Sequence, residues 1–304
     1  KSDTVMDRKA FGIFVSLLLK TTYEAQGRNT LEYLLEDCGI PEDSGAALSL
    51  FIHLTKPLIE LENKVYIAAE HKDDPEKTLD ADLGLHGESY WLTKSWDRIF
   101  RKNLSQFGER LFFALKEHVE SGYDLIRPFE SDPEKFDSIS YQRSAIERHG
   151  QNHKLANDFP NLLDCFSDVL EWTAYEQKDL AQVSLSWIKS PRFLFRRFAI
   201  FVMHKSKFHT PDEKCLWLVE QDLIFSYHTH HEVYGLLKEI YPAVNIENRK
   251  YLIAQIVKGP QAQEDREDRK EWEKYPIFQM LTWLQTSDPH CNLIKAEIDK
   301  IKMA

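Results

Sequence analysis

His228-x-His230-His231-Glu232 is the densest group of possible metal ligands in the chain. A zincin-type site needs two histidines four apart on one helical face, with a glutamate beside the first to act as general base. His231-Glu232 starts that pattern, but Gly235 stands where the second histidine belongs. The spacing therefore predicts a polar helix entrance ahead of Val233, Leu236, Leu237 and Ile240. In it His228, His230 and His231 serve as caps or contact a partner, and no metal is held.

A second polar run, Arg143-Ser-Ala-Ile-Glu-Arg-His-Gly-Gln151, brings together groups capable of acid–base work in Glu147, His149 and Gln151. No nucleophile, metal pair or phosphate loop completes a site around them. A structural hydrogen-bond hub of Arg143, Glu147, His149 and Gln151 is the reading favoured by the residues. An enzyme whose pocket joins Glu147 and His149 to the His228–Glu232 cluster stays open beside it. Arg192, Arg196 and Arg197 form a basic edge on a helix otherwise built from Phe193, Leu194, Phe198, Ile200, Phe201 and Val202. Residues 192 and 196 share a face. They suit an acidic partner or a phosphate, or carboxylates of neighbouring helices. The chain has no GxGxxG, Walker or GxSxG sequence, and glycine supplies only 11 of 304 residues, so neither nucleotide catalysis nor a cofactor is expected.

These groups sit on elements that read almost entirely as helix. Apolar spacing predicts helices over Thr4–Tyr23, Thr30–Cys38, Ser44–Thr55, Leu58–Glu70, Ser95–Asn103 and Ser105–Glu120. Gly122 then reads as a C-terminal stop, residues 71–78 as a solvated loop, and Gly84 to Gly87 as irregular chain. The expected organisation is a helical N-terminal domain over 1–126, an irregular junction over 127–159, and a helical array over 160–304. In the array, Ser190-Pro191 and Thr210-Pro211-Asp212-Glu213 read as helix starts, the second with capping-box spacing. Starts near 161, 177, 191, 211, 230 and 245 group into three pairs at roughly 30 to 40 residues, a two-helix repeat period. No strict consensus recurs, which favours a degenerate HEAT-like superhelix over tetratricopeptide repeats. The mixed charge run 261–274 reads as a solvated helix, a linker or a charged docking face. Apolar spacing resumes from Ile277, and Asp288-Pro289 starts a last helix. The expected class is all-α.

Composition narrows the partners. Hydrophobic residues make up 42% and charged residues 29%, ample for a packed core, while the net charge of −10 disfavours a surface built to neutralise phosphates. A local basic patch or salt-dependent scaffold or nucleic-acid adaptor remains the minor alternative. The longest apolar run, Phe11–Leu19, is about half what a bilayer requires, so no membrane partner is expected. No secretory cleavage pattern is visible, and Cys38, Cys165, Cys215 and Cys291 are scattered without a Cys-x-x-Cys pair. Buried thiols in a reducing cytoplasm are the simplest reading. Because the numbering starts at Lys1, an excised piece of a larger protein is a live reading.

The ordered words Arg143-Ser-Ala-Ile-Glu-x-His-x-Gln151, Leu162-Leu-Asp-x-x-x-Asp-Val-Leu-Glu-Trp172, the Arg-Arg-Phe-Ala core of 191–201, and Asp212-Glu-Lys-x-Leu-Trp217 continue into His231-Glu-Val-Tyr-Gly-Leu-Leu237, Tyr241-Pro242 and Ile256-Val-Lys-Gly-Pro260. Over about residues 140–260 the chain resembles the C-terminal helical-repeat region of large bacterial anti-phage defence proteins of the Sir2 or STAND type. The resemblance implies a sensor: the repeats bind a phage protein, such as a structural protein, and relay the event to an effector domain. The effector and switch motifs are missing from these 304 residues. The resemblance therefore places the effector outside this chain, in the same or an associated polypeptide.

Overall fold

The computed structural model describes residues 8–20, 28–63, 79–130, 137–152, 158–260 and 269–303, and the class is all-α. The chain divides into two compact units, one made of Lys1–Arg143 with Arg148–Trp172, the other of Ser144–Glu147 with Thr173–Ala304. The division thus falls inside a helix, after Trp172, and differs from the expected split at 126 and 160. The polar composition of 127–159 predicts an irregular junction, but Arg143 and Arg148 within it are tied to buried carboxylates, described below.

In the first unit α1 (Arg8–Leu18) and α2 (Arg28–Asp37) pack on α3 (Ser44–Leu54). β1 (Pro57–Asn63) then pairs antiparallel with β2 (Leu79–Leu85). These strands correct the expected helix from Leu58 and the expected irregular stretch at Gly84. A short apolar run carries no decisive period, and Ile59 and Leu61 alternating with Glu60 and Glu62 suit a strand equally well. Pairing decides it: Ile59 lies opposite Leu83, and Leu83 and Leu85 are buried. Gly84 faces Leu58, where an added Cβ would come within 3.1 Å of the Leu58 side chain.

α4 (Ser89–Ser95) runs into a π turn over Trp96–Phe100 and a 3-10 turn over Arg101–Asn103. The π turn presents Trp96 and Phe100 to Phe51, with ring centroids 5.5 and 4.4 Å away. α5 (Leu104–Ile126) lays Leu111, Phe112, Leu115 and Val119 into the core and packs on both strands. A helical turn, α6 (Ser138–Tyr141), is capped by Asp137, which also accepts the Tyr123 hydroxyl at 2.8 Å. α7 (Phe159–Glu176) closes this unit with its first fourteen residues and enters the second with its last four.

Gly122 does not stop α5, which continues to Ile126. Its lack of a side chain admits the Phe159 ring, which an added Cβ would meet at 2.6 Å; Gly108 admits Trp172 in the same way, at 2.5 Å. Gly122→Ala should therefore lower stability by about 1–2 kcal/mol in chemical unfolding, although alanine is the better helix former. A stabilised variant would mean that Phe159 moves aside freely.

The second unit contains α8 (Lys178–Ser186), α9 (Phe193–Lys205), α10 (Pro211–Glu220), α11 (His230–Ile240), α12 (Ile246–Lys258), α13 (Arg269–Ser287) and α14 (Asn292–Met303). From α9 onward each helix packs on the next but one, so α9, α11 and α13 form one layer and α10, α12 and α14 the other. The buried residues of each helix pack against its neighbours in the stack. The Thr210 capping box forms as expected, with Glu213 N–H donating to Thr210 Oγ1 at 3.2 Å and Thr210 N–H to Glu213 Oε2 at 2.7 Å. Asn245 caps α12, and Gly259 ends it at φ 77°. The Ser190-Pro191 start is displaced: α9 begins at Phe193, and Ser190 instead accepts Arg192 N–H and Arg196 Nε. Of the charge run, 261–268 lies outside the described residues and the remainder belongs to α13.

No described helix is long and apolar enough to cross a membrane. All four cysteines are free and buried, and burial pushes the Cys215 thiol up to about 12.

Candidate functional site

The residues most suggestive of chemistry are largely used for structure. Arg197 is buried, 5% exposed, and does not share the basic edge with Arg192 and Arg196. It grips Glu232 through two hydrogen bonds, Nε to Oε2 at 3.0 Å and Nη2 to Oε1 at 2.9 Å. Its Nη2 also donates to the Ser144 carbonyl at 3.2 Å, and Glu232 accepts Ile146 N–H at 3.2 Å. Glu232, placed by its sequence neighbour His231 where a zincin has its general base, is thus a buried counter-ion that fastens residues 144–146 to α9 and α11. Within the first unit, Arg143 donates to Asp164 at 2.7 Å, and Arg148 binds Asp168 through Nη2 at 2.6 Å. Asp168 also accepts Trp96 Nε1 at 2.8 Å.

The four residues of the expected polar hub differ in burial. Arg143 is interior, while His149 and Gln151 are exposed and joined by Gln151 N–H donating to His149 Nδ1 at 3.2 Å. Glu147 is half exposed and sits 3.8 Å from Lys205 Nζ and 4.0 Å from His231 Nε2. Among the described residues no group of three or more His, Cys, Asp and Glu side chains could hold a metal.

The histidines instead belong to an aromatic strip across the α9–α11–α13 layer. His228 lies flat on Phe193, with centroids 3.7 Å apart and planes at 10°. Tyr227 meets the edges of His228 and the ring of His230, whose Nδ1 lies 2.8 Å from the Tyr227 carbonyl. His230 contacts Tyr234, and Tyr234 stacks on Trp283 at 5.3 Å. Trp283 Nε1 donates to the Tyr234 carbonyl at 3.0 Å, which holds α13 in register with α11. Each end carries a cation: Arg196 lies 5.4 Å from the Phe193 centroid, and Lys238 lies 5.7 Å from that of Trp283.

Much of this strip is open to solvent. Tyr227 is 80% exposed, His228 and His230 are exposed, and Phe193, Tyr234 and Trp283 are partly so. Partly buried rings carry large contact area with few torsions to freeze, and terminal cations add direction. Arg196, His228 and His230 are legible in the sequence by type and spacing. Tyr227, Tyr234 and Trp283 are not, because Trp283 reaches Tyr234 across 49 residues of sequence. The one local signal was Tyr227-His-x-His230 followed four residues later by Tyr234.

The fold class is all-α with a two-layer stack in its second unit, and the site is a solvent-facing aromatic strip on that stack. The chain matches no family model, and no curated protein or solved structure proved similar to it.

Proposed function

We propose that these residues form a non-catalytic protein-recognition module, the sensor of a bacterial anti-phage defence system acting in the cytoplasm. It binds a phage protein and relays the event to an effector domain outside this chain. The observation that carries recognition is the Phe193–His228–Tyr227–His230–Tyr234–Trp283 strip with Arg196 and Lys238 at its ends. Aromatic and arginine side chains dominate binding hot spots, and stacked helix pairs of HEAT-like type commonly recognise partners through a row of adjacent helices. The ordered motifs from Arg143 to Pro260 support the defence assignment. The enzyme reading asks Glu147, His149 and the His228–Glu232 cluster to share a pocket, whereas Glu232 is taken up by Arg197 and His228 by Phe193.

The test is direct binding of the purified chain to a panel of purified phage capsid, portal and tail proteins. At least one should bind, and Tyr227→Ala combined with His228→Ala should weaken it about tenfold or more, roughly 1.4 kcal/mol, without changing the melting temperature. No binding anywhere in the panel, or binding indifferent to the double variant, would sink the reading.

A further inference from the structure

A separate groove of about 490 Å³ runs between α12 and α14, in the layer opposite the aromatic strip. Its floor is Ile253, Ala254, Val257 and Leu293, and Val257 is 42% exposed. Three ammonium groups, of Lys250, Lys258 and Lys300, and one carboxylate, of Glu297, stand around it. On α12 the lining residues 250, 253, 254, 257 and 258 follow the three-and-four spacing of one helical face. That face extends roughly 12 Å, about two turns of an incoming helix.

We propose that this groove binds an acidic amphipathic helix of a partner protein. An apolar stripe of such a helix would cover Val257 and Leu293, and carboxylates beside the stripe would meet the lysines. The charge balance selects the sign: the groove carries more cations than anions on a chain of net charge −10. Each lysine already has one partner, Glu247 at 2.9 Å, Gln255 at 2.8 Å and Glu297 at 2.7 Å. Those exposed contacts are weak, and an ammonium has further donors to offer.

The probe is a fluorescent fifteen-residue peptide with leucines at three-and-four spacing and glutamates elsewhere, titrated into the full 304-residue chain by anisotropy. Saturable binding is expected that falls as salt is raised and is weakened about tenfold by Lys250→Glu with Lys258→Glu, and likewise by the exposed Val257→Asp. Circular dichroism melting confirms that the variants fold. Binding no tighter than that of a scrambled peptide of the same composition, or unchanged by both variants, would overturn the proposal. So would self-association of the chain in sedimentation that Val257→Asp abolishes, since a second copy would then be the occupant.

Discussion

Arg197→Ala is expected to destabilise the second unit by about 3–5 kcal/mol, because it leaves the Glu232 carboxylate buried and uncompensated. Arg197 and Glu232 side chains are 6% and 4% exposed, so water cannot replace the missing guanidinium without opening the core. The same change strips the Ser144 carbonyl of a donor. Arg197→Lys should recover only part of the loss, since an ammonium cannot reproduce the two-point grip. Arg197→Leu with Glu232→Leu should be milder than either single alanine variant, because no charge is then stranded. Urea unfolding of the four variants at neutral pH checks the ordering. A native midpoint in Arg197→Ala would show that the pair is not the buried anchor described.

Acidification should weaken the first unit through His118. Burial, then the charges of Lys56 and His86, push its pKa down to about 4 from 6.5. Below pH 6.5 the unfolded chain takes up this proton while the folded chain does not, so stability falls as pH drops from about 6.5 toward 4, by about 3 kcal/mol in all. Above pH 6.5 the imidazole is neutral in both states and contributes no slope. Its Nδ1 lies 3.2 Å from Thr55 Oγ1. Nearby, His53 is likewise lowered by burial, with His86 and Lys56 adding repulsion, so the surroundings offer further positive charge in place of a counter-ion. Unfolding free energies measured between pH 7.5 and 4 should slope downward with acid, and His118→Gln should flatten much of that slope. A flat wild-type profile, or an unchanged slope in the variant, would refute it.

What could be read from the sequence was what neighbouring residues decide among themselves. The Thr210 box and the Asn245-to-Gly259 helix lie where their capping residues put them, since a cap is satisfied within four residues. The β1–β2 pair was not legible because Ile59 becomes a strand residue only by facing Leu83. Gly122 has the right type for a stop, but its use is to let Phe159 approach, and nothing local announces that. Arg196 and Arg197 look like one basic edge in sequence. On a helix they point about 100° apart, which sends one toward Phe193 and the other into the core. The aromatic strip was half visible, as the histidines and Arg196. Its other half needs three helices laid side by side.

The loan of Ser144–Glu147 to the second unit bears on how the chain is made. Ile146 leaves the ribosome 86 residues before Glu232, the carboxylate that receives its N–H. At about 5–20 residues per second the wait lasts several seconds, during which that backbone must stay available. Completion of the second unit is therefore expected to wait on a long-range closure that local helix formation cannot hasten. A truncated chain beginning at Thr173 would hold every helix from α8 to α14 and still lack the strand of backbone that Arg197 and Glu232 enclose.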